Sequence, residues 1–104
     1  MERMMVVESL QRTRVAEVHE DACGQPVVHS DNAEVVSVLE ELIRRGHRTG
    51  LIYCHNQYQK TSEGQVYRTY GRWTKPGDPD FLEALADALV EFNLFAYVIE
   101  LVVH

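Results

Sequence analysis

Apolar positions in this chain recur with two different periods, and the places where the period changes divide it into elements. Between Thr13 and Glu20, Val15, Ala16 and Val18 are interleaved with charged residues, the pattern of a strand with one wet face. Asp21-Ala22-Cys23-Gly24 reads as a turn, and Gln25-Pro26-Val27-Val28-His29 as a short return strand. Pro26 has no N–H to give to a ladder, which puts it at a strand start or on an edge. From Asp31 the period lengthens. Val35, Val38, Leu39 and Leu42 fall at i, i+3, i+4 and i+7, with Val36 and Ile43 widening the stripe, and predict a helix to about Arg45. Asp31 is its expected N-cap, Glu34 stands in capping-box position, and Gly46 is the expected C′ residue.

Strand-like segments return at Gly50–Tyr58 and Gln65–Thr74, with the polar loop Gln59–Gly64 between them, and predict a long hairpin. In Lys75-Pro76-Gly77-Asp78-Pro79-Asp80 the expected cap is Asp78, with Pro79 at the first helical position, where a missing N–H costs nothing. Phe81, Leu82, Leu85, Ala88, Leu89 and Phe92 form the stripe of a second helix, and Asp80, Glu83, Asp87 and Glu91 its wet face. Asn93 ends that helix, and Phe95–Val103 is the last strand. Residues 1–12 read either as an arm or as a short extra strand.

This order predicts an α+β two-layer sandwich: an antiparallel sheet of four or five strands with two amphipathic helices on one face. The arrangement expected is the ferredoxin-like βαββαβ, or ββαββαβ if the return strand is counted. No Pro/Gly-rich linker or low-complexity tract interrupts residues 1–104, so one domain is expected. The last strand adds a constraint. Phe95, Tyr97, Ile99, Leu101 and Val103 share one face, while Ala96, Val98 and Val102 share the other with Glu100. A strand apolar on both faces is normally covered on both. The helices cover one; the expected cover for the other is the N-terminal arm or a second subunit, giving a homodimer packed through the sheet face.

Composition narrows the class without naming a function. At 45% apolar and 25% charged residues the chain can build one core and is not of disordered type. Its longest apolar run, Leu94–Ile99, is far short of the roughly 20 residues of a membrane crossing. The apolar stretch Met4–Val7 is too short for a secretory signal, so the expectation is a cytoplasmic protein with Cys23 and Cys54 as free thiols.

Charge is distributed unevenly. Residues 44–75 hold seven basic residues (Arg44, Arg45, Arg48, Lys60, Arg68, Arg72, Lys75) against one acid, Glu63, while the rest of the chain holds three basic residues against fifteen acids. Such polarity within one domain predicts two electrostatic faces. In the hairpin, Tyr58, Lys60, Arg68, Tyr70, Arg72 and Lys75 mix cations with aromatics, the combination by which single-stranded nucleic acid is bound. With Tyr67 and Trp73 turned inward, Arg68, Tyr70 and Arg72 would form an exposed stripe; the competing reading has these arginines solvated or paired with helix acids. The segment Tyr67-Arg68-Thr69-Tyr70-Gly71-Arg72-Trp73 does not carry the basic-glycine-aromatic pattern of an RNA-recognition motif.

Other chemistry is weakly signalled. His19, Cys23, His29, His47, Cys54 and His55 are metal-ligand types, but their spacing matches no zinc pattern, and no metal or cofactor is expected. Cys54 and His55 are strand neighbours that point to opposite faces and so cannot form a dyad. No phosphate-binding loop or nucleophile elbow is present, and no carboxylate pair is marked for acid–base work. The leading expectation is therefore a non-enzymatic binding or regulatory module. It would dock a protein partner through an acidic helix face made of Glu34, Glu40, Glu41, Glu83, Asp87 and Glu91. The alternatives are single-stranded nucleic-acid binding by the basic hairpin, and a small enzyme with a site at a dimer seam around Tyr53, His55 and Arg68 or Arg72.

Overall fold

The computed structural model describes the backbone of residues 3–61, 64–92 and 97–103, and the side chains of these apart from 54–61, 65–70, 92, 97 and 103. The elements in chain order are β1 (Arg3–Ser9), β2 (Arg14–Glu20), β3 (Pro26–Ser30), α1 (Ala33–Arg48), β4 (Leu51–Thr61), β5 (Gly64–Thr74), α2 (Phe81–Phe92) and β6 (Tyr97–Val103). They form an α+β fold in which two helices pack on a four-stranded antiparallel sheet of order β3-β2-β1-β6.

The N-terminal segment is neither an arm nor an edge. Met4-Met5-Val6-Val7 is buried throughout, and β1 lies between β2 and β6, where a strand apolar on both faces belongs. Its register with β2 shifts between Val7 and Glu8: Val7 pairs with Ala16 and Glu8 with Arg14. Val15 is left over at this bulge, which is why apolar Val15 and Ala16 can be adjacent in a strand. With β1 flanked on both sides, β4 and β5 pair with each other as a separate two-stranded sheet. The ferredoxin-like order, which needs both hairpin strands in the main sheet, is not what the described pairing shows.

One core joins the layers. Met5, Val7, Ala16 and Val18 from the sheet meet Val35, Leu39 and Leu42 of α1 and Phe81, Leu82, Leu85 and Leu89 of α2. These helix positions are the stripes legible in the sequence, but the helix ends differ from those expected. Asn32, not Asp31, caps α1; its side chain accepts from the Val35 N–H at 3.1 Å. Nor does Gly46 end that helix. It is buried inside the last turns of α1, against the Phe81 ring. The glycine that turns the chain is Gly50, at φ +85°, a conformation that residues with a Cβ disfavour. The second helix begins at Phe81, two residues after Pro79, because Asp78 is occupied in a preceding turn: its carboxylate accepts from the Lys75 N–H at 2.8 Å.

The two faces of the sheet are finished differently. Met4 and Val6 point away from the helices, yet they are only 6% and 2% exposed. Their cross-strand neighbours are His19, Glu17, Val102 and Glu100. Above them Arg12 bonds Glu100 and Glu8, and Glu17 accepts from Arg14 and bonds His19. Long side chains lay their aliphatic stems over apolar neighbours while keeping their charges wet, so this face is roofed by its own ion pairs. Val27, opposite His19 on the same face, stays 39% exposed. The molecule as a whole is elongated, 53 × 32 × 26 Å, and each eleven-residue strand of the hairpin spans about 37 Å.

Candidate functional site

The path from α1 into the hairpin decides which residues face out. Gly50 closes against the Thr74 carbonyl, and the ladder then starts with Leu51 opposite Thr74, Ile52 opposite Trp73 and Tyr53 opposite Arg72. Leu51 and Thr74 are buried, with the Thr74 hydroxyl donating to the Leu51 carbonyl at 3.0 Å, and Tyr53 packs on the core. By alternation Ile52 and Trp73 emerge on the other side, 47% and 64% exposed. The inward Trp73 considered from the sequence is therefore reversed. Arg72 sits on the Tyr53 side of the ladder and pairs with Asp80.

Ile52 and Trp73 form one wall of a groove of 580 Å³. The end of α1, with Arg45 and Thr49, forms a second wall, and Asp87, Ala88 and Glu91 of α2 form the third. Partial burial raises the Asp87 carboxyl above the usual aspartate range, and the charges of Glu91 and Glu83, one helical turn away on either side, add to this. A carboxyl raised in the fold is a destabilising group once both states are ionised. Asp87→Asn is therefore expected to be more stable than the parent at neutral pH. The gain should vanish as pH falls through the Asp87 pKa into the acid range, as chemical denaturation at two pH values would show.

The remaining acids expected on one face are spread over several environments. Glu34 and Glu40 are exposed on α1. Glu41 is taken up by Arg44 at 2.8 Å and Arg48 at 3.7 Å; the Arg44 hydrogen bond chiefly holds its carboxyl below the usual range. Glu83 is not on a wet face. Arg3, eighty residues earlier, clamps it to β1 and also donates to the Pro79 carbonyl. Asp87 and Glu91 are the pair that the fold brings to an exposed apolar wall.

The basic block is not an open patch at its described positions. Arg44, Arg48 and Arg72 are paired with acids, and Lys75 is exposed in the turn before α2. The side chains of Tyr58, Lys60, Arg68 and Tyr70 lie outside the described residues; their backbone positions are in the ladder, Tyr58 opposite Tyr67 and Tyr70 opposite His55. Cys54 and His55 are likewise known only by register. His19 and His29 meet edge to face, with ring centres 5.1 Å apart, while Cys23 is exposed in the neighbouring turn. Among the described residues no three of His, Cys, Asp or Glu converge as metal ligands do.

The exposed Trp73–Ile52 pair is a feature that sequence reasoning missed. Two signals pointed toward it: tryptophan in a strand with polar neighbours, and a glycine where α1 hands over to the hairpin. Neither gives the parity of the strand without the core that fixes it. Among the described residues no helix is long and apolar enough to cross a membrane. No protein-family model, curated protein or solved structure matches this chain.

Proposed function

We propose that this chain is a non-catalytic docking module, and that its partner is a protein segment presenting apolar and basic side chains to the Trp73 groove. The observation that carries this reading is the exposed Trp73–Ile52 wall standing opposite Asp87 and Glu91. A large aromatic left in water is the residue type that dominates binding energy when a partner desolvates it. Two carboxylates beside it select for a cationic neighbour and speed the encounter. This narrows the acidic face read from the sequence to Asp87 and Glu91.

The test uses the fact that Trp73 is the only tryptophan in the chain. Titration with a panel of short leucine- and lysine-containing peptides should shift Trp73 emission to the blue as the groove closes. Binding measured by calorimetry should lose about 2 kcal/mol, roughly thirtyfold, in Trp73→Ala. Asp87→Asn with Glu91→Gln should slow association and flatten its salt dependence. Saturable binding of such peptides that ignores both changes removes the reading. A response to oligothymidylate instead, falling steeply with salt, would put single-stranded nucleic acid on the hairpin in its place.

A further inference from the structure

We propose that a second copy of this chain pairs along the open edge of β6 through strand β5 of its hairpin. The two edges of the main sheet differ. At one, β3 is five residues long and opens on Pro26, both of which blunt an edge. At the other, β6 runs Tyr97-Val98-Ile99-Glu100-Leu101-Val102-Val103, with neither proline nor lysine and with Glu100 as its one charge. Such an edge presents a row of backbone N–H and C=O groups to any strand that fits. Leu101 pairs with buried Met5 on the helix-covered side of the sheet, yet it stays 40% exposed, as a side chain does when the next strand is missing.

The hairpin is the complementary object. Its two strands are hydrogen-bonded to each other and to no other described strand, and α2 packs against β4, so among the described strands β5 has a neighbour on one edge only. A two-stranded ribbon is marginal in water, and a third strand is what stabilises it. The charges match. β4 and β5 contain Lys60, Arg68 and Arg72 and no acid, whereas β6 contains Glu100 and no base. Arg72 is held by Asp80 and Glu100 meets Arg12 of its own chain at 3.3 Å; in the pair, Arg68 of the second copy's β5 would take the place of Arg12 at Glu100. Reciprocal exchange about a two-fold axis gives each hairpin a third strand and removes each β6 edge, the closed arrangement that symmetric dimers use. On the outer face of the sheet Met4 and Val6 are already buried.

Native mass spectrometry and sedimentation over a micromolar dilution series should find a dimer. Leu101→Lys and Val98→Lys place the natural edge-blocking residue on either side of β6 and should yield monomers with unchanged far-ultraviolet circular dichroism. Glu100→Arg tests the pairing at an exposed position; it also gives up the Arg12 ion pair within the chain, so unchanged far-ultraviolet circular dichroism is required of this variant too. Like charges across a strand pair cost up to ~1 kcal/mol, so dissociation should strengthen about fivefold per contact and roughly 25-fold for two reciprocal contacts. Arg68→Glu in the Glu100→Arg background should restore the dimer. A monomer at every concentration, or a dimer indifferent to Glu100→Arg and to the lysine variants, overturns the proposal.

Discussion

Phe81→Ala is expected to remove about 3–5 kcal/mol of folding stability, a large share of the roughly 5–15 kcal/mol that a domain of this size has. Among the described residues Phe81 is the largest of the fully buried side chains, and it opens α2 at the point where that helix meets α1 and the sheet. Removing its ring forfeits the transfer energy and leaves a cavity whose walls include the backbone of α1, which cannot collapse inward without breaking its own hydrogen bonds. For a chain of about 100 residues each kcal/mol shifts the midpoint by roughly 4–8 °C, so thermal unfolding should fall by about 15 °C or more. Urea denaturation showing a loss under 1 kcal/mol would mean that Phe81 is not the keystone of the interhelical contact.

Gly46→Ala is a second large effect, and its sign is the informative part. In an exposed helix interior, alanine for glycine gains about 1 kcal/mol. A Cβ at Gly46 would stand 2.6 Å and 2.7 Å from two ring carbons of Phe81. Carbon atoms pack best at about 3.5–4.0 Å, and the ring is held on all sides in the core. Overpacking of this kind costs about 1–3 kcal/mol, so the variant should be less stable than the parent despite the better helix former. Adding Phe81→Leu removes the ring atoms in question; the double variant should lie above the sum of the two single losses, because the positions are in contact. A stabilised Gly46→Ala protein would show that α1 and α2 are further apart than described.

These two predictions share a lesson about glycine in this chain. A helix-terminal glycine was a reasonable reading of Gly46, since the apolar stripe fades there and Arg44 and Arg45 suit a C-terminus. What keeps it small is a neighbour thirty-five residues away. The backbone freedom of glycine is instead used at Gly50, and that turn sets Leu51 inward and Ile52 outward. Trp73 follows Ile52 because cross-strand partners share a face. The candidate groove therefore depends on a single positive-φ residue, whose consequence appears only when the hairpin root meets α2.

Local burial preferences are written into the order of residues. The 3.6 period of Val35, Leu39 and Leu42 and that of Phe81, Leu85 and Leu89 specify two helices and the sides they bury. The alternation in β2 and the apolar density of β6 likewise specify strands, and all of these are legible without coordinates. Which strands become neighbours is a different kind of fact, because an apolar face does not name its partner. Met4–Val7 could have been an arm; its burial on both sides made it the centre of the sheet and left β4 and β5 to pair with each other. Charge followed the same rule. Glu83 and Asp87 stand on one helix, four residues apart, yet Arg3 clamps the first while the second faces a tryptophan, since electrostatics acts over ångströms in space rather than positions in sequence.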